Sequence, residues 1–132
     1  MKIQVNWHNE QQTVLYYSFE VGWDWKDMYD AFAQARDMME SVDHHVNIIM
    51  DLSHVSLIPK GALAKIRWAF ESPKQKNIGL TVVVTPSSFI KSMIDLGTKL
   101  WGRAVKQWSV VFVTTLEEAY MLIEEYDGAI NG

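Results

Sequence analysis

Val46-Asn47-Ile48-Ile49-Met50-Asp51-Leu52 is a short, nearly continuous apolar run, and the pattern returns at Leu80-Thr81-Val82-Val83-Val84 and at Val110-Val111-Phe112-Val113. Such runs suit strands covered on both faces over much of their length, as in a parallel sheet. Each is followed by a helical pattern. Pro59 fits the first position of a helix carrying Leu63, Ile66 and Phe70 inward, and Ser87 or Ser88 can cap another carrying Phe89, Met93, Leu96 and Leu100. Thr115-Leu116-Glu117-Glu118 predicts a capping box at the start of the last helix. That helix places Leu116, Ala119, Tyr120, Ile123 and Tyr126 inward, with Gly128 as its stop.

Upstream, Lys2 to Trp7 alternates polar and apolar, and Thr13 to Phe19 is rich in β-branched and aromatic residues, which predicts a β-hairpin joined through Asn9-Glu10-Gln11-Gln12. Asp24 then caps a helix to about Ser41, with Trp25, Met28, Tyr29, Phe32, Ala35, Met39 and Val42 on its apolar face and Lys26, Asp30, Gln34 and Asp37 facing away. The order is ββαβαβαβα. The fold class is therefore α/β, a mixed but mainly parallel sheet with an antiparallel element at its start. No linker or internal repeat interrupts the 132 residues, so residues 1–132 are expected to form one domain, with Phe32, Ile48, Ile49, Val83, Phe112 and Ile123 in its core.

The composition, 48% hydrophobic and 21% charged, is that of an ordinary globular chain. Without cysteine there is no disulfide, thiol nucleophile or thiolate zinc site, which fits a reducing compartment. No apolar run approaches the 18 or so residues that span a bilayer, and Met1 to Trp7 has no apolar signal-peptide core, so the expected location is cytoplasmic. The net charge of -4 argues against nucleic acid as a partner, yet it hides a segregation: residues 1–59 carry -6, residues 60–106 carry +7 and residues 107–132 carry -5. A basic segment of this kind can steer an acidic partner even on an acidic molecule.

GxGxxG, GxxxxGK[ST], GxSxG and HExxH are all absent, so no catalytic residue, cofactor or metal is assigned. His44-His45 precedes a strand, where neighbouring side chains diverge, and lacks a third ligand nearby; both are expected to be exposed turn residues. Asp51-Leu52-Ser53-His54 holds the residue types of a hydrolytic triad, but consecutive residues leaving a strand rarely form a relay. Its address is more informative, because open parallel sheets meet ligands and partners at the carboxyl ends of their strands. Trp68 lies off the Leu63, Ile66, Phe70 stripe, beside Lys65, and Phe89, Ile90, Met93, Ile94 and Trp101 belong to an unusually wide apolar stripe. Trp beside Lys or Arg is the composition of interface anchors and of membrane-surface helices.

From Asp51 onward, Asp-Leu-Ser-His-Val-Ser-Leu-Ile-Pro-Lys-Gly-Ala-Leu, residues 51–63, resembles the signature of STAS domains, the SpoIIAA-like anti-sigma-factor antagonist family, whose loop reads roughly Asp-Leu-Ser-x-Val-x-x-x-Asp-Ser-Ser-Gly-Leu. The element order and the Val-x-Val-Thr-Thr-Leu-Glu-Glu-Ala pattern at residues 111–119 resemble it as well. The resemblance implies parallel strands in sequence order, crossover helices mostly on one side, and a binding-module role without catalysis. In the family the second Ser of Asp-Ser-Ser-Gly accepts phosphate; here the four positions read Pro59-Lys60-Gly61-Ala62, with no hydroxyl, and Ser53 and Ser56 are the nearby ones. The first reading is a regulatory or scaffold domain binding a protein through Asp51, Ser53, His54, Ser56, Lys60, Gly61, Lys65 and Trp68. The alternative is a carrier or sensor of an acyl ligand or anionic membrane, using Phe89, Ile90, Met93, Ile94 and Trp101. A homodimer stays open beside either.

Overall fold

The computed structural model describes residues 2–55, 75–85, 92 and 110–131. Within them the chain is α/β: a five-stranded mixed sheet and two helices in one small domain. The strands are β1 (Ile3–Trp7), β2 (Val14–Phe19), β3 (Val46–Asp51), β4 (Ile78–Val84) and β5 (Val110–Val113); the helices are α1 (Trp25–Glu40) and α2 (Leu116–Asn131). Strand order follows the sequence, with β1 antiparallel to β2 and every later pair parallel. The helices expected after Pro59 and after Ser87 or Ser88 lie outside the described residues.

The hairpin turn is built by one side chain. Asn9 Oδ1 accepts from the amides of Thr13 (3.0 Å) and Val14 (3.4 Å), and its amide donates to Thr13 Oγ1 (2.6 Å), which leaves Gln12 in the left-handed region at φ 57°. Asp24 caps α1 as expected, and Asp27 completes the box: Asp24 Oδ1 accepts from the Asp27 amide (2.9 Å) and Asp27 Oδ2 from the Asp24 amide (3.1 Å). At the other end, Asn77, just before β4, donates its side-chain amide to the carbonyls of Met39 (2.9 Å) and His44 (3.0 Å), tying the start of that strand to the end of α1 and the turn after it.

Alternate residues of the strands feed two cores, one on each face. Ile3, Val5, Leu15, Tyr17, Phe19, Val46, Ile48, Met50 and Val83 pack with Ala31, Ala35 and Met39 of α1. Val14, Ile49, Leu80, Val82, Val84 and Val113 pack with Ala119 and Ile123 of α2. The two helices therefore cover opposite faces, and all six residues of β3 are buried between them. Ile48, Ile49, Val83 and Ile123 occupy the core as expected, whereas Phe32 and Phe112 are half-buried at its margin. On α1 the expected face is rotated slightly: Ala31 is fully buried, because a short side chain lets the helix sit close to the sheet, and the larger Phe32 is displaced to the flank.

Two expected boundaries move. Strand β4 starts two residues early, at Ile78, and Gly79-Leu80 bulges opposite Asn47, where the register shifts between Val46 and Ile48. A Cβ on Gly79 would collide with Asn47 Oδ1, so glycine is required there by space. Helix α2 runs through Gly128 to Asn131 instead of stopping; an exposed glycine inside a helix costs only about 0.5–1 kcal/mol and does not break it. Its start is half of the expected box: Thr115 Oγ1 accepts from the Glu118 amide (3.2 Å), while the Glu118 carboxylate takes the hydroxyls of Thr114 (2.9 Å) and Thr115 (3.4 Å).

The two margins of burial make a testable pair. Ile49→Ala should destabilise the protein by about 2–5 kcal/mol, as for a fully buried aliphatic, whereas Phe112→Ala should fall below the roughly 3–5 kcal/mol of a fully buried aromatic. Urea unfolding of the two variants checks this, and equal losses would put Phe112 in the centre of the core.

Candidate functional site

Asp51 ends β3 on the α2 face and is 5% exposed, a carboxylate taken almost wholly out of water. Such a group needs partners. Register places Tyr16 of β2 on the same face, and its hydroxyl donates to Asp51 Oδ2. The chain turns directly after Asp51, so the amide of Ser53 (3.0 Å) and its hydroxyl (2.5 Å) both donate to Oδ1, the side-chain-to-backbone turn typical of aspartate. The turn is anchored beneath: Leu52 and Val55 are buried in the α1-side core, the Leu52 amide donates to the Val84 carbonyl (2.9 Å) and the Val55 amide to the Leu52 carbonyl (3.1 Å). Ser53 is thereby half-exposed and His54 exposed at the carboxyl end of the sheet.

Burial pushes the Asp51 carboxyl up, but the donors from Ser53 and Tyr16, with His54 nearby, outweigh it and hold the group below the ordinary carboxylate range. The Tyr16 hydroxyl moves the other way, raised first by burial and then by its bond to Asp51. Asp51 is thus a saturated, ionised acceptor and a poor proton acceptor at neutral pH. Ser53 Oγ gives its proton to Asp51 directly, whereas a hydrolytic relay sets an imidazole between hydroxyl and carboxylate.

A second polar cluster occupies the other end of the same strand. Asn47 is fully buried; its Oδ1 accepts from the Leu80 amide (2.9 Å) at the bulge and its Nδ2 donates to Asp127 Oδ1 on α2 (2.8 Å). His45 Nε2 meets the same Asp127 oxygen at 2.8 Å, and His44 Nε2 lies 2.7 Å from the Gln12 carbonyl. The adjacent histidines do diverge: His44 is exposed as expected, with its ring against the Gln12 carbonyl, whereas His45 is half-buried and paired with Asp127 of α2. Among the described residues no three His, Asp or Glu side chains group as metal ligands would, and no helix is long and apolar enough to cross a membrane.

Of the residues singled out from sequence, Asp51, Ser53 and His54 come together in this turn. Ser56, Lys60, Gly61, Lys65 and Trp68, and the alternative set Phe89, Ile90, Met93, Ile94 and Trp101, lie outside the described residues. Tyr16 and Asp127 were not anticipated. The signal was present for both: Asn47 and Asp51 are polar residues in a run otherwise apolar enough to be buried, and a buried polar group demands a partner. His8 was also missed; its ring stacks between Tyr16 (centroids 5.8 Å) and Tyr120 (5.1 Å), tying the hairpin to α2. Compared with known proteins, the chain matches no family model, no curated protein and no solved structure.

The Asp51 turn carries a pH signature. Because its pKa is lowered on folding, its contribution is fully present above the unfolded value of about 3.9 and is lost as pH falls through the folded value. Asp51→Asn, which removes the charge but keeps the shape, should be less stable than the native protein by about 1–3 kcal/mol at pH 7. The gap should close below about pH 4. Denaturant melts at pH 7 and pH 3 measure it, and a gap that does not shrink in acid would show that Asp51 is not held ionised by this turn.

Proposed function

We propose that this chain is a regulatory or scaffold domain of the STAS, SpoIIAA-like type, without catalysis of its own, that binds another protein through the turn after β3 and the segment that follows it. The observation that carries the reading is the Asp51 turn: a buried carboxylate is spent on holding Ser53 and His54 at the carboxyl end of a parallel strand, the place where open α/β sheets meet their partners. A carboxylate saturated by three donors serves shape better than proton transfer. The sheet supports the family likeness, since an antiparallel β1 followed by parallel strands in sequence order is the arrangement the likeness implies. The segment after the turn is basic, +7 over residues 60–106, so the partner surface is acidic. With Pro59-Lys60-Gly61-Ala62 in place of the phosphoacceptor run, binding is not switched by phosphate at those positions.

The test is a charge reversal. A partner captured from the host and identified by mass should bind Lys60→Glu/Lys65→Glu/Arg67→Glu more slowly than the native protein, mainly in the on-rate, and added salt should slow the native protein in the same way. Unchanged capture by the triple variant at low salt would overturn the role of the basic segment. A native mass spectrum showing a co-purifying lipid and no protein would favour the carrier reading.

A further inference from the structure

Two side chains bracket the Tyr16 ring along its strand. Register sets Asp51 beside Ser18, two residues ahead of Tyr16 on the same face, so the Tyr16 hydroxyl reaches Asp51 Oδ2 by leaning diagonally toward the carboxyl end of the sheet. His8 lies on the other side. Its amide donates to the Val14 carbonyl at 2.8 Å, which sets it behind Tyr16, and its ring stacks on the Tyr16 ring with centroids 5.8 Å and planes 25° apart. The space behind the tyrosine is thereby closed.

The stack continues into α2. Tyr120 follows Ala119, which is fully buried in the core beneath the helix, and the Tyr120 ring lies 5.1 Å from that of His8 with planes 22° apart. Ring pairs at such separations attract. One line of contacts therefore runs from α2 to the turn after β3, through Tyr120, His8, Tyr16 and Asp51 to the amide and hydroxyl of Ser53, which donate to Asp51 Oδ1 at 3.0 Å and 2.5 Å. We propose that His8 is a positioning residue for this turn: wedged between Tyr120 and Tyr16, it keeps the Tyr16 hydroxyl on Asp51, so the order of Ser53 and His54 depends on α2 being seated.

The physical reason is the unequal burial of the two partners. Asp51 is 5% exposed and cannot replace a lost donor with water where it stands, whereas the Tyr16 ring is half-buried and has solvent to swing into once His8 is removed. Without the phenol, one oxygen of a buried carboxylate is short of a donor, and Asp51 relieves that penalty by rotating toward water and away from Ser53. The turn then opens. The bearing of this coupling on partner binding rests on the docking role proposed above; the coupling itself does not.

Amide exchange of the full chain, followed by NMR at Ser53 with Val82 and Val83 as reporters of global opening, tests this. His8 is exposed, so its variants should fold. In His8→Ala the Ser53 amide should exchange about tenfold faster than in the native protein relative to Val82 and Val83. His8→Phe keeps a ring between the two tyrosines and should restore the native ratio. Tyr16→Phe should raise the Ser53 rate as His8→Ala does, and the double variant should add nothing further, because both changes act through one hydroxyl. A Ser53 amide as slow in His8→Ala as in the native protein, one accelerated only in step with Val82 and Val83, or additive effects in the double variant would overturn the proposal. If His8→Ala loosens the turn yet the captured partner binds it as it binds the native protein, the positioning role stands and the docking reading falls.

Discussion

Strand β3 is buried along all six of its residues, and two of those six, Asn47 and Asp51, are polar. Burying a polar group costs more than most single contacts return unless each of its atoms finds a partner. The partners fix the neighbours. Asn47 reaches β4 through the Leu80 amide and α2 through Asp127, while Asp51 reaches β2 through Tyr16 and the following turn through Ser53. A slip of one residue between β3 and either neighbour would exchange the two faces of the strand and leave both groups unsatisfied. The apolar residues between them supply the bulk of the stabilisation, and the polar ends select one register.

The bulge at Gly79 belongs to the same constraint. Room for the Asn47 side chain is made by removing a side chain from the strand opposite, and the inserted residue delivers the Leu80 amide to Asn47 Oδ1. The cost of glycine in a strand is offset by a satisfied amide in the core. At the opposite end the same logic builds a surface feature: Asp51 is satisfied from within the protein, so the turn it organises is held by internal hydrogen bonds where it meets solvent. A preordered turn loses less freedom on binding a partner.

Apolar spacing located the described elements, since the hairpin, the Asp24-capped helix, the three later strands and the last helix each have a distinct pattern, although β5, expected to be covered on both faces, is only half-buried at three of its four residues. What it could not reach is a matter of partners distant in the chain. Asn47 was visible as an interruption in an apolar run, but its partner Asp127 stands 80 positions later, on the last helix. Tyr16 read as one more strand aromatic, because nothing local distinguishes a buried ring from a ring whose hydroxyl reaches a carboxylate 35 residues on. Asp51, Ser53 and His54 were legible as a candidate site because strand ends have a known address; the donor arrangement around Asp51 was not, since it depends on where the turn folds back.

Native-state hydrogen exchange at the Leu80 amide tests the central claim most directly. In the native protein this amide, bonded to a fully buried side chain, should exchange as slowly as those of Val82 and Val83 in the same strand. In Asn47→Ala it should exchange much faster, while Val82 and Val83 still report the global unfolding of that variant. A Leu80 amide that exchanges rapidly in the native protein, or that keeps its protection in Asn47→Ala, would contradict the claim that Asn47 pins β3 to its neighbours.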